Sequence, residues 1–212
     1  MKRYFKRGFL ILAMFFVAVS YTGAYFSDSV AVSGNTFTAA TWYVPAPEAE
    51  KIIITEFLAD PDAVFDADGE WFEIYNPTSS SINLKDWKYC DDDCSETKII
   101  DSDLIIASKS YLVFAKKNDV AINGGVHVDF QISNLSLVNT ADSIAFYKPD
   151  GLEGFDLIDR VDYSKSGGWP ISPGKSAILN DLALDNSVSA NWSLSTQIYG
   201  LGDYGTPGGP NV

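Results

Sequence analysis

Soft metal ligands and nucleophiles are scarce in this chain. It holds one histidine, His127, and two cysteines, Cys90 and Cys94, in 212 residues. A zinc site takes about four ligands, mostly cysteine and histidine, so the chain is too poor in both to build one. No G-x-S-x-G nucleophile turn occurs. "SPGKS" at 172–176 has glycine and lysine without the phosphate-loop spacing. Positive charge is short as well: 15 Lys and Arg stand against 28 Asp and Glu, a formal net charge of -13 and a pI near 4.3. Such a chain repels phosphate backbones, so no nucleic-acid partner is expected. The balance suits an exposed surface protein or one that gathers cations. Beyond the N-terminus no window keeps a 3.6-residue apolar period, which excludes long amphipathic helices.

The N-terminus does carry a signal. Lys2, Arg3, Lys6 and Arg7 precede an apolar run over 9–19, and the small residues Ser20, Thr22, Gly23 and Ala24 follow. This pattern predicts a signal helix within residues 1–24, cleaved between Ala24 and Tyr25; an uncleaved anchor is the alternative. The protein is then secreted or held at the cell surface, touching the membrane only through that segment before cleavage. "AYFSDSVAVSGNTFTAATW" at 24–42 resembles the start of exported proteins handled by the SipW-type signal peptidase. TasA-like and camelysin-like fibre proteins of bacterial biofilm matrices are among them. The resemblance bears on export and covers about forty residues. "YVPAPEAE" then closes a mature N-terminal segment and linker over 25–50.

From residue 51 onward the chain reads as short strands between turns. "KIIITEFLA" is apolar on both faces, as an internal strand would be. "EWFEIYN" alternates, with Phe72 and Ile74 on one face and Trp71, Glu73 and Tyr75 on the other. "INLKDWKYC", "KSYLVFAK", "VHVDFQI", "LSLVN", "DSIAFYK", "LIDRVDY" and "SAILN" follow, broken by Gly124-Gly125, Pro149-Asp150-Gly151 and Gly167-Gly168. The Pro-Asp-Gly element predicts a hairpin, since proline fixes φ and glycine supplies φ > 0. Strands at this spacing predict an all-β fold, an antiparallel sandwich or barrel.

Several of these segments, taken in order, resemble a lamin tail domain. "ITEF" at 54–57, "GEWFEIYN" at 69–76 and "LKDW" at 84–87 match its opening strands. "YLVFAK" at 111–116, "NLSLVNTADSIAFYKPDG" at 134–151 and "DRVDY" at 159–163 match its middle. Trp192 and Gly205-Thr206-Pro207-Gly208 match its close. Thr55 stands where asparagine is usual, and Cys90 and Cys94 lie outside the pattern. The resemblance implies an immunoglobulin-like β-sandwich over 51–212 with no attached catalytic residues. It also implies a tethering or interaction role beside enzymes or adhesion modules.

The remaining candidate chemistry is acidic. Glu56 and Glu73 could serve as a general acid and base, or could meet backbone donors inside a sheet. Asp60, Asp62, Asp66, Asp68 and Glu70 crowd one loop, the right atoms for calcium but without the EF-hand spacing. Calcium there is the one candidate ion; a solvated loop is the alternative. A second acidic run, "YCDDDCSE" at 89–96, encloses Cys90 and Cys94. In an exported chain such a pair points to a disulfide closing a small loop. Trp87 is read as a core residue, with an exposed ligand platform as the alternative, and His127 as a strand residue. The expected function is non-catalytic binding of a protein or polysaccharide at the cell surface. A calcium-dependent adhesin and a matrix-fibre component are the alternatives.

Overall fold

The computed structural model describes residues 49–212 apart from 92, 93, 95 and 96. The signal helix, the Ala24–Tyr25 junction and nearly all of the linker lie outside the described residues. Among the described residues the strands form three sheets. Six strands run in the order β12-β11-β1-β2-β7-β8. They are β1 (Ile53–Leu58), β2 (Trp71–Tyr75), β7 (Tyr111–Ala115), β8 (Phe130–Gln131), β11 (Ala177–Leu179) and β12 (Trp192–Leu194). A second sheet has the order β10-β9-β4-β5. It joins the hairpin β9 (Ala141–Pro149) and β10 (Phe155–Ser164) to β4 (Lys88–Cys90) and β5 (Lys98–Ile99). A small ladder pairs β3 (Ile82–Asn83) with β6 (Ile105–Ile106). The fold is an immunoglobulin-like β-sandwich, as the strand pattern and the resemblance both imply.

Period-two alternation builds the interior. Phe72 and Ile74 of β2, Phe114 of β7 and Phe57 of β1 meet Phe146, Ile144, Val161 and Tyr163 in one buried cluster. Phe72 stacks on Phe114 at 5.1 Å and meets Phe146 edge-on at 6.0 Å; Phe57 stacks on Tyr163 at 4.5 Å. These are the arrangements that ring quadrupoles favour. Trp87 is 2% exposed and belongs to this core, which excludes it as a ligand platform.

Three expectations need correction. "LSLVN" forms no strand: Leu135 and Leu137 are buried, but Ser136 N–H is taken by the Asp91 carboxylate instead of a ladder. "VHVDFQI" is strand only at Phe130–Gln131, so exposed His127 lies in a loop. Its alternating burial comes from Val126 and Val128 packing on the six-stranded sheet without pairing to it. The sheets are also not wholly antiparallel. The chain leaves β7, crosses by a loop, and returns as β8 parallel to it. The only α-helix among the described residues is a single turn, α1 (Asp66–Gly69).

Candidate functional site

A bulge in β1 creates the most unusual feature of the sheet. The register to β2 shifts between Ile54 and Glu56, so Thr55 and Glu56 both face outward and Glu56 lies opposite Glu73. Without that shift Glu56 would point into the aromatic core. Two carboxylates thus sit side by side on the outer face, and both residues are fully buried.

Dense hydrogen bonding compensates the burial. Glu56 accepts from the Ser176 hydroxyl at 2.5 Å, the Thr206 N–H at 2.8 Å and the Thr206 hydroxyl at 2.7 Å. Glu73 accepts from the Thr55 hydroxyl at 2.8 Å and the Gly208 N–H at 2.7 Å. Loss of water raises both pKa values, and the Glu56 charge raises that of Glu73 further, to about 8. The donors come largely from the C-terminal segment, which lies over this face. Asn211 adds amide bonds to the Thr55 and Leu179 carbonyls, both at 2.9 Å. Gly205 packs where a Cβ would stand 3.0 Å from Glu56, Trp71 and Tyr199 alike, so a larger residue would lift the segment away. Beside the carboxylates, Leu58, Trp71, Val113, Ala115 and Val126 form a second apolar cluster. The Trp71 indole donates to the Tyr199 hydroxyl at 2.9 Å across it.

A half-buried carboxylate does similar work at the side of the sandwich. β11 is too short to pair with Ile54, so the Asp159 carboxylate accepts the Ile54 N–H at 2.6 Å and Asn186 donates to the Ile54 carbonyl at 3.1 Å. Burial raises the Asp159 pKa.

The acidic loop is arranged differently from a metal cage. Asp60 and Asp66 share the Asn139 amide at 3.1 Å each. Glu70 is buried and turned toward Lys116 at 3.2 Å, and desolvation pushes its pKa up to about 7 despite that cation. Asp62 and Asp68 line an open groove with Val64, Phe65 and Ile122. The five carboxylates therefore do not converge, and no group of three or more such ligands gathers among the described residues. Cys90 and Cys94 form the expected disulfide, with Cα atoms 5.2 Å apart. Asp91 beside it bonds Lys98 at 2.5 Å and Ser136 N–H at 3.1 Å, joining that loop to the 135–137 segment.

Glu56 and Glu73 were visible in the sequence as a pair of strand carboxylates. Their partners Ser176 and Thr206 were not, because they lie more than a hundred residues away along the chain. The Gly205-Thr206-Pro207-Gly208 run was the signal that could have found them.

Two packed sheets with this strand order define an immunoglobulin-like β-sandwich domain. The chain belongs to the lamin tail domain family: the family model described as Lamin Tail Domain matches residues 45–165, more than half of its length. No curated protein and no solved structure matches it. β11, β12 and the C-terminal segment lie beyond the matched residues, yet they extend and cover the same six-stranded sheet.

Proposed function

We propose that this protein is an exported interaction module that tethers a protein or polysaccharide at the cell surface or in the extracellular matrix and catalyses nothing. The observation that carries the reading is the commitment of Glu56 and Glu73. Both have the raised pKa values of general acids, but each is sealed under the C-terminal segment with hydroxyl and amide donors on its oxygens. A general acid must reach its substrate, and these two reach only the protein's own chain. The family, one of immunoglobulin-like interaction domains, supports the same conclusion. The basic and apolar N-terminus supports export.

The test uses the secreted chain. Mass spectrometry is expected to find its N-terminus at Tyr25, and immobilised protein is expected to retain components of a surface extract or a glycan panel. Retention of 2–19 in the mature protein would replace secretion with anchoring. Hydrolysis of glycans, phosphoesters or peptides, lost in Glu56→Gln or Glu73→Gln with the fold intact, would overturn the non-catalytic reading.

A further inference from the structure

Three loops interlock at one end of the sandwich. Asp203 of the 198–203 loop accepts the Ala63 N–H at 2.9 Å and the Asp62 N–H at 3.2 Å, which ties it to the acidic loop. Leu201 N–H donates to the Gly124 carbonyl at 2.9 Å, which ties it to the 119–125 loop. Gly200 lies so close to that strand of chain that a Cβ would stand 1.9 Å from the Gly124 oxygen, and its φ of +48° also favours glycine. The loops are therefore held in place before any partner arrives, which lowers the entropy cost of binding.

What they present is apolar inside an acidic rim. Phe65 is 83% exposed, Ile122 46% and Leu201 61%. Phe65 and Ile122 share one open groove, and Asp62 and Asp68 line it with them. Asp66 and Asp119 are exposed nearby on the same two loops. Among the described residues no ion pair engages these four aspartates, and Lys116 is committed to buried Glu70. Lys117 is the remaining cation of that loop. Other exposed apolar residues, such as Leu152 at the β9–β10 turn, also have acidic neighbours but do not line this groove. Grouped exposed apolar side chains with a polar rim mark contact surfaces, and the sign of the rim selects the partner.

We infer that this loop end docks a Lys- or Arg-rich polypeptide segment carrying large apolar side chains, the apolar groups seated on Phe65 and Ile122 and the cations on the aspartates. The inference rests on the interaction-module reading and names the partner's chemistry. A fluorescent synthetic peptide alternating Lys and Leu is the probe, with Glu-for-Lys and Ser-for-Leu peptides as controls, added to the secreted chain. The Lys/Leu peptide alone is expected to bind, more weakly as salt rises, and to shift amide NMR signals in 62–69, 119–125 and 198–203. Phe65→Ser with Ile122→Ser is expected to weaken it about tenfold or more, a loss of about 1.4 kcal/mol or more. Asp62→Asn with Asp68→Asn weakens it several-fold, and Leu152→Ser leaves it unchanged.

Equal affinity in the Phe65 and Ile122 variant, equal binding of the Glu/Leu peptide, or shifts confined to other surfaces would overturn the assignment. So would self-association of the chain through this patch in place of peptide binding. Capture from surface extract that survives the Phe65 and Ile122 changes removes this surface and leaves the interaction module standing. No capture by the unaltered chain removes the module reading itself.

Discussion

The two faces of the six-stranded sheet are both dry, but different forces close them. The inner face buries Phe57, Phe72, Ile74 and Phe114 against a second sheet. The outer face buries Glu56 and Glu73 under the C-terminal segment, beside the smaller cluster around Trp71. Apolar burial is non-directional and indifferent to protonation. Carboxylate burial is tolerated only while each oxygen keeps its donors, because an unpaired buried polar group costs its full desolvation penalty. The comparison teaches that one strand can carry both solutions when a bulge changes its phase midway, as β1 does at Thr55 and Glu56.

The sharpest way to separate the faces is to empty one side. Phe72→Ala removes a ring that stacks on Phe114 and meets Phe146 edge-on. It should destabilise the domain by about 3–5 kcal/mol in denaturant unfolding, the range for deleting a buried aromatic ring. A cost no greater than that of a surface change would mean the inner face is not the main core.

On the outer face, Glu56→Ala strands the Thr206 N–H and the Ser176 hydroxyl. A loss of about 2–3 kcal/mol is expected, with early hydrogen exchange over 197–211 while the aromatic core stays protected. Simultaneous loss of protection everywhere would show that the two faces are one cooperative unit.

Of the two faces, the outer one should answer to pH. The folded pKa of Glu73, about 8, lies above its ordinary value of 4.5. The folded protein therefore keeps a proton that the unfolded chain releases above about 4.5. This stabilisation is fully present below that pH and is lost progressively as pH rises through about 8. Glu70, raised to about 7, acts in the same direction. The melting temperature should climb by several degrees as pH falls from 8 toward 5, and Glu73→Gln should flatten the climb. A profile that Glu73→Gln leaves unchanged would place the titration elsewhere.

The smallest effect is expected away from both faces. Replacing Cys90 and Cys94 by serine opens a loop whose ends are four residues apart, so little chain entropy is released. A cost of about 1–2 kcal/mol is expected, below the usual disulfide range. Two thiols freely alkylated in the folded secreted protein would show that the bond does not form there.

Much of this protein was legible along the chain because strand alternation is local. Each of Phe72, Glu73 and Ile74 declares its face through its neighbours, and "KPDG" marks the β9–β10 turn by its own backbone preferences. Local rules failed where burial did not come from ladder pairing. Leu135, Leu137 and Val126 alternate like strand residues and are buried like them, but carboxylates and loop packing satisfy or cover their neighbourhood. His127 inherited a strand assignment from that pattern and stands exposed instead.

The sheet strands, the all-β class, the disulfide and the family were therefore written in residue types and short-range order. The fate of the acidic residues was not. Glu56 and Glu73 could read equally as catalysts or as struts, because a carboxylate's role depends on what surrounds its oxygens. A bulge turned Glu56 outward, and a segment some 150 residues later supplied its donors. Asp62 and Asp68 stayed at the surface with Phe65, while Glu70 from the same loop turned inward to Lys116. Such choices are made by contacts between distant parts of the chain, where desolvation and hydrogen bonding are settled together, and no local pattern contains them.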